Sequence, residues 1–213
     1  MNDERLFPRE GRARRALTIG ALALTALVVA GCGSRAPAPT QMDLGPAAAW
    51  PAQATLARRV DLQAVSAPET LQSTGIVYRL GDTDPYARRA YRDSRWAAPL
   101  PVLVAARLRQ QIARAPVMPV PAGAETPAPI AVTLELEECL QHFSSASRSE
   151  VQLRVMATAE DGTQRAFDRA EPAGADAEGA VKATAAAVDA LGPEIAAWAA
   201  TLSPRVPQGR GRR

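Results

Sequence analysis

The sequence predicts an α+β fold, a mixed β-sheet of about six strands with two helices packed on one face. Three observations predict it. Ile130, Val132, Leu134 and Leu136 alternate with Ala131, Thr133 and Glu135, and Val151, Leu153, Val155 and Ala157 repeat that period of two, the mark of half-buried strands. Leu100, Val104, Leu108 and Ile112 recur every four residues, and Val181, Ala185, Val188, Ile195, Trp198 and Leu202 fit a second helical stripe. The order is three strands, a helix, three strands and a helix, which stacks both helices on one sheet.

Each element has its own signals. Val60, Leu62 and Ala64 alternate with Arg59, Asp61 and Gln63 as the first strand, and Ala67-Pro68-Glu69 opens a turn or short helical piece. Gly75–Leu80 is the second strand, with Ile76, Tyr78 and Leu80 on one face; Gly81-Asp82 and Asp84-Pro85 break it. Tyr91–Trp96 is the third, pairing back over an arginine-rich loop. Pro99 starts the first helix, with Arg107, Arg109 and Arg114 outside, and Pro116 stops it. Val117–Pro121 is a candidate short strand before a proline-rich loop. Glu160-Asp161-Gly162-Thr163 is a hairpin turn leading into Gln164–Arg169. Gly192-Pro193 predicts a kink or restart in the last helix, because proline lacks a donor and crowds the preceding turn.

The N-terminus sets the compartment. Arg12, Arg14 and Arg15 precede an uncharged apolar run, Ala16–Ala30, which ends in Gly31-Cys32. The run is shorter than the roughly 18 residues of a membrane span and reads as a secretory leader. Small residues before a cysteine resemble a bacterial lipobox, which implies cleavage before Cys32 and acylation of its thiol. Two or three acyl chains anchor stably where one does not. Residues 1–31 are then a lipoprotein signal peptide and 32–50 a flexible linker of Pro, Ala and Gly. Residues 51–203 form the domain, and 204–213 a disordered basic tail suited to anionic headgroups. Gly33 follows the cysteine where an aspartate tends to retain lipoproteins in the inner membrane, so the outer membrane is the expected destination.

Removing residues 1–31 from the 213 leaves 182, enough for one sizeable core. Of 25 basic and 22 acidic residues, five and three lie in the leader, so the mature chain is near neutral at +1. Its arginine excess sits in the tail, which argues against a nucleic-acid partner. With Cys32 acylated, Cys139 stands alone and no intrachain disulfide can form. One histidine and one spare cysteine do not suggest a metal site, and no cofactor motif occurs: the phosphate-binding GxxxxGK[ST] loop is missing. His142 near Ser144, Ser145 and Glu138 would invite a hydrolase reading, yet no nucleophile-elbow sequence presents either serine. Cys139 reads as a small buried hydrophobe. Arg88, Arg89, Arg92 and Arg95, near Asp82, Asp84 and Asp93, suggest a mixed-charge recognition surface.

Ile76-Val77-Tyr78-Arg79, Ser94-Arg95-Trp96-Ala97-Ala98-Pro99 with the helix behind it, Glu135-Leu136-Glu137-Glu138 leading to Phe143, and the Asp-Gly hairpin before an alanine-rich helix stand in order behind the lipobox. Together they resemble the ABC-type transport auxiliary lipoproteins, in particular the paraquat-inducible protein C-like components of MCE lipid transport systems. The likeness covers about Asp43 to Leu202; it would place an aromatic residue where Cys139 stands. It implies a non-catalytic, lipid-anchored subunit on the periplasmic face of the outer membrane. It also implies an MCE-domain periplasmic protein with an ABC permease and ATPase as partners, and homo-oligomeric rings. Tyr78, Arg79, Arg95 and Trp96 become the candidate partner interface, since Trp, Tyr and Arg dominate interface energetics. Core packing of Ile76 and Trp96, with fold-stabilising pairing of Arg79 and Arg95, is the weightier explanation of these residues. A stand-alone envelope lipid carrier or assembly lipoprotein with an apolar pocket of its own is the alternative.

Overall fold

The computed structural model describes residues 37–203, and all its strands and helices lie in the compact unit beginning at Pro39. Seven strands form one mixed sheet: β1 (Thr40–Met42), β2 (Val60–Ser66), β3 (Gly75–Leu80), β4 (Asp84–Trp96), β5 (Ile130–Ser145), β6 (Arg148–Ala159) and β7 (Gln164–Ala173). Two helices, α1 (Leu100–Ile112) and α2 (Ala177–Ala200), pack together on one of its faces. The strand order is β1-β4-β3-β5-β6-β7, with β2 beside β5. β5 organises the sheet. Its first half pairs in parallel with β2, from Val60 opposite Ile130 to Ser66 opposite Glu135. Its second half pairs in parallel with β3, Tyr78 opposite Gln141 and Leu80 opposite Phe143. The other long edge of β5 is antiparallel to β6, which is antiparallel to β7.

The alternation of β5 and β6 sends Ile130, Val132, Leu134, Leu136, Val151, Leu153, Val155 and Ala157 into the core beneath the helices. At α1, Pro99 leads in with extended backbone, and Leu100, Val104, Leu108 and Ile112 are all buried. Asp176 caps α2 by accepting the Gly179 N–H at 2.7 Å, satisfying one of the free donors of the first turn. Gly162, at φ 92°, makes the β6–β7 turn.

Several sequence expectations need correction. The segment 32–50 is not linker throughout: β1 lies within it, and Leu44 and Ala47 are buried. A three-residue strand and a lone leucine give no period to detect. Arg88 and Arg89 lie on a strand rather than in a loop, because β4 begins at Asp84 and absorbs the expected break; β-bulges take up its extra residues. Val117–Pro121 forms only a single bridge, Val117 to Leu56.

Arg107, expected outside, is 7% exposed. Its Nε and Nη2 donate to the Asp189 carboxylate of α2 at 2.8 and 2.6 Å, and its Nη1 donates to the carbonyls of Leu44 and Gly45. One guanidinium thus ties both helices to the strap that follows β1. Helix α2 runs through Pro193 without interruption. Proline leaves the Asp189 carbonyl without its N–H four residues on, and the Gln111 side-chain amide of α1 donates to that carbonyl at 3.0 Å. Gly192 permits the approach, since a β-carbon there would collide with Gln111 Oε1. The deepest face of α2 is Ala180, Ala183, Ala187, Leu191, Ile195 and Ala199, so the larger residues Val181 and Trp198 lie at its margin. Small side chains let α2 sit close to the sheet.

Candidate partner-docking surface

Beyond the area covered by the helices, β3 and β4 form a wing of the sheet. Its register slips twice, between Val77 opposite Ala90 and Gly75 opposite Arg95, and between Leu80 opposite Asp84 and Tyr78 opposite Arg89. The extra residues fall on β4, so few of its side chains reach the core. Tyr86 is 96% exposed.

The aromatic part is built from the strands inward. Tyr78 packs against Tyr91 with ring centroids 4.9 Å apart and edge-on to Phe143 at 5.9 Å. The Tyr91 hydroxyl donates to Gln141 Oε1 at 2.7 Å. Gln141, 1% exposed, donates from Nε2 to Ser149 Oγ at 2.7 Å and to the Gly174 carbonyl at 2.6 Å; Ser149 Oγ donates onward to the Ala173 carbonyl at 3.0 Å. Every amide group of Gln141 is satisfied, which a buried polar side chain requires. The network joins β4, β5, β6 and the β7–α2 connection, and so fixes the wing to the start of α2.

The charged part runs across the face that the helices leave open. Glu138 receives Arg88 at 3.0 Å and Arg79 at 3.6 Å. Across the ladder, Arg154 Nε meets Asp168 at 2.6 Å, a hydrogen bond that raises the arginine pKa further. A shallow groove of about 310 Å³ lies between them, with Gln152 and Arg169 in its lining. On the wing itself Arg89 meets Asp84 at 2.9 Å, and Arg92 meets Asp93 at 3.0 Å.

Tyr78 and Arg79 thus lie half-buried on the wing, and Arg95 is exposed beside β1, opposite Gln41. Trp96 is not part of any surface. It is 3% exposed in the core cluster that includes Leu71, Ile76 and Leu100, and its backbone N–H donates to the Thr74 carbonyl. Core packing accounts for Trp96, and its place at the end of β4 makes it the seal between wing and helix layer. Sequence reasoning passed over Tyr86, Gln141 and the bridging role of Glu138. The Asp84-Pro85-Tyr86 run reads as a turn, and pairings 50 residues apart leave no local trace. Cys32 and the basic tail 204–213 lie outside the described residues.

Among the described residues no three His, Cys, Asp or Glu side chains come together as a metal site. Burial pushes the Cys139 thiol up to about 12. His142 lies over Gly81, where a β-carbon would meet its ring. Tyr91 is also pushed up to about 12, by burial first and then by Asp176 and Tyr78. Both groups are neutral when protonated and are held protonated by the fold, so the unfolded chain loses these protons first as pH rises. The contribution of these two groups to stability is therefore expected to be full below pH 9 and to be lost as pH climbs through 9–10 toward 12. Alkaline denaturation monitored by circular dichroism checks this, and Tyr91→Phe should flatten the profile between pH 10 and 12. An unchanged profile in that variant would mean that Tyr91 is not held protonated.

The family model described as the ABC-type transport auxiliary lipoprotein component matches residues 42–196. The chain belongs to this family. The auxiliary-lipoprotein match takes in β3, β4, α1 and α2 as far as Ala196, and it begins at Met42, the last residue of β1. The fold is similar to the crystal structure of protein XCC0632 from Xanthomonas campestris, at 18% identity and TM-score 0.54, covering 76% of this chain and 92% of that one. It is also similar to a crystal structure of an uncharacterized protein, at 15% identity and TM-score 0.52, covering 75% of this chain and 97% of that one. No curated protein matches the sequence. As an auxiliary lipoprotein the chain is a transport component associated with membranes; among its described residues no helix is long and apolar enough to cross one.

Proposed function

We propose that this auxiliary lipoprotein is anchored through acylated Cys32 to the periplasmic face of the outer membrane. There it docks an MCE-domain periplasmic protein, served by an ABC permease and ATPase, for lipid transport. Its own work is binding and positioning. The docking surface is the β3–β4 wing: Tyr78, Arg79 and Arg95, extended by Tyr86.

The observation that carries this reading is Tyr86, a large aromatic side chain 96% exposed beside arginines on a wing braced from behind by the Gln141 network. A rigid strand presenting tyrosine and arginine outward has the composition of an interface hot spot. The carrier alternative finds no acyl-chain cavity in the core beside Trp96: the space enclosed by Leu71, Ile76, Trp96, Leu100 and Val151 is about 10 Å³, room for one water. The roomier recess beside Leu56, Val60, Ile112 and Val117, about 390 Å³, is where a carried lipid would have to sit.

The test is affinity capture of the full-length protein, expressed at native level, from detergent-solubilised membranes. Wild type should bring down an MCE-domain protein with its permease or ATPase. Tyr86→Ala combined with Arg95→Ala should reduce that recovery at least roughly ten-fold while leaving the thermal unfolding temperature unchanged. Recovery of a lipid-loaded monomer alone would overturn the reading in favour of the carrier. Undiminished recovery with the double variant would move docking off the wing.

A further inference from the structure

The sheet ends on its far side at β7, a ten-residue strand whose second edge no described residue pairs. Side-chain contacts define its faces. Arg165 lies over the Phe167 ring at 5.0 Å, Phe167 packs on Trp198, and Arg169 pairs with Glu194 of α2, so odd-numbered residues face the helices. Asp168, which pairs with Arg154, faces the open side with the even-numbered set. The backbone alternates too. Ala173 directs its carbonyl toward β6, where it accepts from Ser149 Oγ, whereas Asp168 offers its carbonyl to the Arg169 guanidinium at 3.2 Å. Pro172, which has no N–H, belongs to the same outward set, where proline is tolerated in a strand. The free edge therefore offers the N–H and C=O groups of Gln164, Ala166, Asp168 and Ala170, and the Pro172 carbonyl.

We infer that this edge pairs antiparallel with β7 of a second copy of the chain, about a two-fold axis at Asp168. A two-fold axis normal to the sheet keeps helix-side residues opposite helix-side residues, so only positions of like parity can face one another. Centring on Asp168 sets Ala166 opposite Ala170 and Gln164 opposite Pro172 in the outward hydrogen-bonding set. On the helix side it sets Arg165 opposite Glu171 twice, and Phe167 opposite Arg169 twice. Centring one step either way in the same parity, on Phe167 or on Arg169, brings Arg165 against Arg169 or Arg169 against itself. On the helix side charge thus favours the Asp168 register over these two, while on the open side it sets Asp168 against its own copy. Each Asp168 meets its copy already paired to an Arg154. Such a pair closes on itself, unlike the head-to-tail contact of a ring, and it leaves the β3–β4 wing at the opposite side of each sheet free.

The experiment uses the full chain and single cysteine replacements under mild oxidation. Asp168→Cys should give a disulfide-linked dimer, since directly opposed strand residues lie within disulfide reach. Ala166→Cys and Ala170→Cys should each fail alone and cross-link when mixed. Sedimentation should show that Glu171→Arg weakens self-association roughly ten-fold, and that adding Arg165→Glu in the same chain restores it. Ala166→Pro should abolish the dimer without lowering the unfolding temperature by more than a few degrees, because its N–H points away from β6. A wild type that stays monomeric, or cross-linking of Ala166→Cys alone as readily as Asp168→Cys, would overturn the inference.

Discussion

Asp189→Ala is expected to destabilise the protein by about 3–5 kcal/mol, because it leaves the guanidinium of Arg107 buried beside Leu44 without its counter-charge. For a domain of this size that is a fall of roughly 10 °C or more in unfolding temperature. The loss is larger than that of a surface ion pair, which is commonly below about 1 kcal/mol, because both side chains are largely shielded from water. A second effect distinguishes this variant from a general core defect. The strap at Leu44–Ala48 is held by Arg107, by the Asp189 carboxylate at Ala48 N–H and by Gln110 at Ala47 N–H. Limited proteolysis should therefore cut near Gly45 in Asp189→Ala before the body unfolds. Replacing both partners, Arg107→Met with Asp189→Leu, should recover much of the stability by removing the stranded charge, while the strap stays loose. A single variant that melts within about 1 kcal/mol of wild type would show the pair to be dispensable.

Gln141→Ala is expected to lower stability by about 3 kcal/mol or more, since it strands the Gly174 carbonyl and the Tyr91 hydroxyl and opens a cavity in the sheet. Tyr91→Phe removes one hydrogen bond of the same network and should lower it by about 1 kcal/mol. The two should not add: a double-mutant cycle is expected to show coupling of about 0.5–1 kcal/mol, read from urea unfolding. Hydrogen exchange would locate the damage, with the amides of β3 and β4 exchanging faster in Gln141→Ala while those of β6 hold. Simple additivity, with protection unchanged in the wing, would refute the bracing role assigned to Gln141.

Much of this architecture was legible in the chain. Ile130–Leu136 and Val151–Ala157 show their strand period without ambiguity because β5 and β6 are half-buried along their whole length. The first helix is legible for the same reason, with a buried stripe of four branched residues. Three kinds of feature were not. Strand β1 is too short for a period, and its partner is more than 50 residues away. On β4 the bulges scramble the alternation, so arginines that belong to a strand read as a loop. Arg107 counts as a surface residue by composition, and only the distant Asp189 makes its burial tolerable. The candidate surface divides along the same line. Tyr78 and Arg95 lie on the β3–β4 wing, whereas Trp96, chosen by residue type, belongs to the core. Residue type alone does not say whether an aromatic side chain faces in or out, and here the end of β4 turns it in.

In the proposed anchoring through Cys32, strand β1 changes the mechanics of attachment. A leash running from Cys32 to the edge of a domain beginning at residue 51 would reach roughly 60 Å at full extension, but one that ends at Thr40 leaves seven intervening residues and about 25 Å. With Cys32 as the anchor, the body is confined to a thin shell above the bilayer, and a partner must come that close to meet it. Tension along the leash enters at Thr40, the first residue of a strand running parallel to β4. A pull along the strand axis loads the hydrogen bonds of β1 together in shear, not one after another. Behind them the Arg107 clamp holds the strap to both helices, so a tug from the membrane is resisted by the helix layer before it can reach the core of the sheet.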